Sequence, residues 1–258
     1  MGTFNGDGFT ISGLNVVQDY DNQGLFGAIG ANSIIKNVGL INININGRNN
    51  VGGIAGSNIG GKIENCYVNG NVNVNGINNV GGIVGHNAYD NTAGIYSRGD
   101  IRNCYTTGNI EGTGDNIGGI AGFNDNKDIL NCYSLAIVSG NNAVGGIVGG
   151  AFGVIYNNVA LNPRVIGTAS STNRIVGTLN GSATNNFARA DMLVNNNTRT
   201  SNNANSIDGA DINSTEWNSA NWWQTTANFD PNIWVLADGN LPILQFPGER
   251  PAQNPMVQ

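Results

Sequence analysis

Aliphatic and amide residues alternate strictly over 41–46 (INININ) and again over 71–75 (NVNVN). A period of two belongs to extended strands, with aliphatics on one side and amides on the other. Ile43 to Val72 is an offset of 29 residues, and Ile45 to Val74 is again 29. One added coil therefore sets like side chain on like. Neighbouring strands lie about 4.8 Å apart, so each Ile or Val sits over its counterpart.

Two longer patterns share this spacing. Gly-Gly-Ile-small-Gly recurs at 52, 81, 118 and 145, and Ile-x-Asn-Cys-Tyr recurs at 63, 101 and 129. With degenerate copies included there are six rungs, ending their first half on Gly27, Gly56, Gly85, Gly122, Gly149 and Gly177 in steps of 29, 29, 37, 27 and 28. A period in that range that tolerates insertions marks a solenoid. No segment shows a 3.6-residue stripe, so the expected fold is all-β: a parallel β-helix of about six coils, with the rest of each coil as the return path.

The second half of each rung centres on Asn37, Asn65, Asn103, Asn131, Asn157 and Asn185. This column reads as an amide ladder at a bend, each NH2 donating to the next side-chain carbonyl along the axis. Independent turns, each using asparagine's tolerance of left-handed backbone, are the alternative, although such turns would let Asp, Ser or Gly stand in. The glycine pairs at 52/53, 81/82, 118/119 and 145/146 read as tight corners made with positive φ. A phosphate loop would need a following helix and a Lys or Ser/Thr at fixed spacing, and neither is there.

From Gly85 to Ile101 the rung takes 16 residues, and the extra length, 87–98, is expected to project as a loop ending in Arg98, Gly99 and Asp100, an integrin-type tripeptide. The repeat occupies 1–189. The remainder, 190–258, reads as a linker and an irregular capping segment holding all four tryptophans, Trp217, Trp222, Trp223 and Trp234. Solenoid ends need a cover, and these rings supply one. Alternatively, Trp222 and Trp223 form a sugar-stacking platform.

Composition narrows the function. Aliphatics make a real core, with 40% hydrophobic residues, while charged residues are 11% and net charge is −6. No basic stripe exists to track a phosphate backbone, so nucleic acid is not an expected partner. No apolar run is long enough to insert into a bilayer. Residues 2–14 begin in mid-pattern, as expected of a fragment of a longer exported protein.

Cys66, Cys104 and Cys132 share one motif position and read as small buried hydrophobes. His86 is the lone histidine, too few for a zinc site or a triad. The pairs Asp19/Asp21, Asp125/Asp128 and Asp208/Asp211 lack the basic partners of a glycosidase face, and 124–128 (NDNKD) lacks the glycine and distal Glu of a calcium loop. No cofactor, metal or catalytic set is expected. A flat Asn/Thr array for ice or crystalline polysaccharide ranks third among the binding and structural readings, since it persists for only two coils before Asn109, Ile110 and Glu111 break it.

The rungs GGIAGSNIGGKIENCYVNGNV, GGIVG with IRNCYTTGNI, and GGIAGFNDNKDILNCYSLAIV resemble the GLUG repeat. That repeat occurs in large secreted bacterial surface proteins, among them filamentous-haemagglutinin-like adhesins and the non-catalytic N-terminal part of certain immunoglobulin A peptidases. The resemblance implies a right-handed parallel β-helix, a bacterial cell-surface location, and adhesion or display toward a host-cell protein or glycan. A structural stalk stacking end to end on copies of itself is the alternative.

Overall fold

A computed structural model describes residues 2–88 and 100–257. The chain forms a parallel β-solenoid of about six turns, five strands to a full coil. In the second coil these are Ile34–Lys36, Gly39–Ile41, Asn44–Asn46, Asn49–Gly52 and Ala55–Ile59, which define faces 1 to 5. Each face is a sheet of five to eight strands, parallel throughout except where Asn197–Thr198 turns back on Leu193–Val194 at the end of face 3. At roughly 4.8 Å per strand, six coils make a rod about 30 Å long.

Register is fixed by columns of like side chains. On face 1, Ile35, Ile63, Ile101, Ile129 and Ile155 stack in order. Ile45, Val74, Ile110, Val138 and Val165 do so on face 3, and Val51, Val80, Ile117 and Val144 on face 4. All are buried in one continuous core, and a one-residue slip of any strand would turn its column out to solvent.

The run 41–46 is not one strand. Asn42 takes φ +55°, which ends face 2 after Ile41 and starts face 3 at Asn44. Ile43 and Ile45 point into the core, whereas Ile41 packs outward against a second apolar cluster. A left-handed residue resets the alternation, so the pattern that reads as a single strand is a corner with two short ones.

The glycine pairs also work differently from expectation. None of the eight lies among the positive-φ glycines. A Cβ at Gly81 would meet Gly122 N at 2.6 Å, and one at Gly82 would meet Thr106 Cγ2 at 2.7 Å. Here glycine is required by the close approach of the next coil rather than by its dihedral freedom.

The repeat continues past residue 189: Leu193–Val194 extends face 3, and Ala210–Ile212 pairs with Phe187–Arg189 on face 2. This stretch closes the end of the rod. Ile207 O accepts from Ile175 N and Val176 N at 3.0 and 3.1 Å, and the buried Arg174 guanidinium is held by Asp211 at 2.6 Å and Gly209 O at 3.1 Å.

The tryptophan-bearing segment is therefore not an end cap. It lies along the flank, on the outer side of face 2. Two short helices, α1 (Ser214–Trp217) and α2 (Ala220–Thr225), and an antiparallel pair, Trp234–Val235 with Ile243–Leu244, pack over an outward column of Tyr67, Tyr105, Tyr133, Val159 and Phe187. Its last residues reach the first coil, where Arg250 pairs with Asp7 at 2.9 Å and stacks on Phe9 at 4.5 Å. Such a strap is needed because face 2 is apolar on both sides: Cys66, Cys104 and Cys132 point in while the adjacent tyrosines point out.

Candidate functional site

Of the tripeptide at 98–100, Arg98 and Gly99 lie outside the described residues, as does most of the expected loop at 87–98. Asn87 and Ala88 are not loop: both belong to a face-5 strand, and Asn87 is fully buried. Asp100 has a side chain only 15% exposed, bound to Arg102 Nη2 at 3.2 Å. Burial, and after it the Asp128 carboxylate, push its pKa up against Arg102, Lys62 and Lys127. It is engaged by its own chain rather than presented to a partner.

The asparagine column sits at the corner between faces 1 and 2. All six residues are left-handed, with φ between +52° and +56°, so the turn and ladder readings describe the same residues. Asn37 donates to Asn5 Oδ1 at 3.0 Å, Asn65 to Asn37 at 3.1 Å, and Asn103 to Asn65 at 3.1 Å. The order then changes. Asn131 Nδ2 donates to Asn228 O in the strap at 2.6 Å, and Asn185 bridges Asn157 Oδ1 and Thr226 O, each at 2.9 Å. Where the strap passes, the column holds it.

Two further amide columns carry less obvious signals. Asn22, Asn50, Asn79 and Asn116 are left-handed, and each of the last three donates to the one a coil before it at 2.9–3.0 Å; the mark of those three is an Asn directly before Val51, Val80 and Ile117 of face 4. Inside the core, Asn58 donates to Asn87 at 2.8 Å and Asn87 to Asn124 at 2.7 Å, with Asn58 and Asn124 also closing turns onto Gly61 O and Lys127 O. Asn124 is thereby committed, which removes it from any calcium loop at 124–128.

The cysteines are free and buried, and burial pushes the Cys66 and Cys104 thiols well up. They are not mere hydrophobes. Each Sγ donates to the carbonyl two residues back, Glu64, Arg102 or Leu130, at 3.2–3.3 Å. Asn158 and Asn186 occupy the same position in the next coils and make the same bond through Nδ2, at 3.0 and 3.2 Å. This position calls for a small donor.

Trp223 is 1% exposed and packs on Tyr133, Phe229 and Trp222. It offers no ring face to a sugar, because the rings that would form the platform cover the tyrosine column instead. Trp222 is half-buried, edge-on to Phe187 at 5.1 Å. His86 packs against Phe123 at 5.5 Å, its pKa lowered by burial against the pull of Asp125. Asp208 and Asp211 both bind Arg174, the first through its backbone N–H. Among the described residues no group of three or more His, Cys, Asp or Glu side chains is placed to hold a metal, and no helix is long and apolar enough to cross a membrane.

The GLUG motif family matches residues 47–73 and 76–111, the first two of the three clear rungs, so the chain carries that motif. A crystal structure from Bacteroides ovatus, described provisionally as an immunoglobulin A1 protease, superposes with a TM-score of 0.68 at 26% identity, covering 94% of this chain and 76% of the other. A comparison with curated proteins finds no match.

Proposed function

We propose that this chain is a non-enzymatic binding or display segment of an exported bacterial surface protein, acting on a host-cell protein or glycan. The observation that supports it best is where the coils differ. Five faces repeat in register, while one junction between faces 5 and 1 differs sharply in length. Ile59 is followed by Lys62 and Asn124 by Asp128, but Ala88 is separated from Asp100 by the eleven residues 89–99. An insertion anchored at both ends on a stiff wall is a common way to carry a binding function on a repeat scaffold. The GLUG motif and the likeness to the Bacteroides structure favour an exported bacterial setting.

The test uses cultured host cells and the isolated chain. Binding that is lost when 89–99 is replaced by the two residues of the second coil's junction, with melting unchanged, supports the reading. Binding by neither protein contradicts it.

A stalk assembling end to end is the second reading. The first coil's strands, Thr3–Asn5, Thr10–Ser12 and Asn15–Val17, pair on one edge only among the described residues, and Phe4, Phe9 and Val17 beside that edge are exposed. Such edges template pairing with another chain. Concentration-dependent association, abolished by Val17→Lys, would favour it.

A further inference from the structure

The two ends of the rod are unlike. At the far end the inward side chains that finish the core columns, Val176, Ala183, Ala188 and Val194, are all buried. At the near end they are not. Phe4, Ile11, Val16 and Phe26 are the register partners of Ile35, Leu40, Ile45 and Ala55. Whereas Ile35 is 2% exposed, Phe4 is 38% exposed, and the other three are only partly buried against the core. Their four strands also pair on one edge only among the described residues. An open solenoid end needs a cover, and its free backbone N–H and C=O groups call for another strand edge.

Size and charge point to a second copy of this chain as the cover. The first coil runs from Thr3 to Ile29, so end-on contact engages close to the ~20–30 residues a side of a standard interface. Its charges are segregated. Asp19 and Asp21 lie in the loop at 18–23 between faces 3 and 4, and both are exposed. Lys36 and Lys62 flank the inward Ile35 and Ile63 on face 1, across the coil. Among the described residues neither Asp19 nor Lys36 has an ion-pair partner. A two-fold axis perpendicular to the rod sets the acidic loop of each copy against face 1 of the other, so the match is made twice. It also brings Tyr20 of that loop, 67% exposed, toward the side of the other coil where Phe4, Phe26 and Ile29 line a hollow of about 260 Å³.

We infer that two copies of this chain join open end to open end about a two-fold axis, as a closed dimer. Such an axis reverses strand direction, so the end strands meet antiparallel. The stretch at 193–212 covers the far end of each copy and leaves no second open coil, so association stops at two where a stalk would grow. The inference does not depend on the surface-binding reading.

Sedimentation equilibrium of the intact chain from about 1 to 100 μM should show the mass rising to twice that of the monomer and stopping there. Asp19→Lys and Lys36→Glu should each weaken dimerisation about tenfold or more by setting like charges together, with the melting temperature of dilute protein unchanged. The double variant should recover the parent affinity, and Thr198→Lys at the covered end should leave it as it is. A monomer throughout the range, a mass that climbs past two copies, or a double variant that dimerises no more tightly than either single would overturn the proposal. Of these, a mass beyond two copies would favour the stalk, and host-cell binding by a monomeric chain would retain the surface-binding reading.

Discussion

At Asn65 the backbone sits at φ +55° while the side chain donates to Asn37 and accepts from Asn103. Asp would tolerate the dihedral but could not donate, and it would set a carboxylate against the neighbouring amide oxygen. Breaking a nearly buried pair costs about 1–3 kcal/mol. Asn103→Asp should therefore lower the melting temperature by several degrees in differential scanning calorimetry. Asn202→Asp, at an exposed residue with no side-chain partner, should leave it within about a degree, as surface changes usually do. Equal shifts would show that the column contributes only turns. The cysteine position supplies a parallel case. Cys132→Asn should melt near the parent temperature, because Asn158 makes the same bond one coil on, whereas Cys132→Leu should be destabilised by overpacking and a lost donor. In the native protein none of the three buried thiols should react with a thiol reagent until denaturant is added.

The strap is the element whose role was least legible in the sequence. Its tryptophans announce an apolar surface, and the end of the rod is the obvious surface to cover. Yet the clue to the flank was in the motif. In a strand, Cys66 and Tyr67 point to opposite sides, so a buried cysteine column entails an outward tyrosine column in need of cover. Tyr67, Tyr105 and Tyr133 stack with ring centroids 5.1 and 4.9 Å apart, and the strap binds Tyr105 through Gln253 and Tyr133 through Pro242 O. Register, by contrast, was readable from offsets alone, because the 29-residue spacing of Ile45 and Val74 is the observed pairing. The corner at Asn42 was not, since alternation continues across it unbroken.

Burial gives this element a pH signature. It pushes the Tyr67 phenol up to about 12 and those of Tyr105 and Tyr133 well above their ordinary value. With folded pKa values raised, the contribution to stability is complete below about pH 10 and is lost as pH rises toward the folded values, because the unfolded chain ionises first. Urea midpoints should be flat from pH 8 to 9.5 and fall above 10. A triple Tyr→Phe variant at 67, 105 and 133 should lack that fall.

For the whole molecule, the rod sets where variation is allowed. Strands on five faces are pinned by the coils above and below, so differences between copies are confined to junctions, as at 89–99, and to the surface of the strap. Removing residues 213–258 would uncover the tyrosine column, and the truncated chain should melt lower and aggregate at concentrations where the full chain is monodisperse, as light scattering would show.

All of this depends on each coil lying in register on the last, and disulfide trapping reports that directly. Asn46 and Asn75 are register partners on the exposed side of face 3, at the roughly 4.8 Å strand spacing that a disulfide can span. Asn46→Cys with Asn75→Cys should cross-link nearly completely under mild oxidation, and Asn15→Cys with Asn75→Cys, two coils apart, should not. Equal cross-linking of the two pairs, or none in the first, would contradict the stacked solenoid.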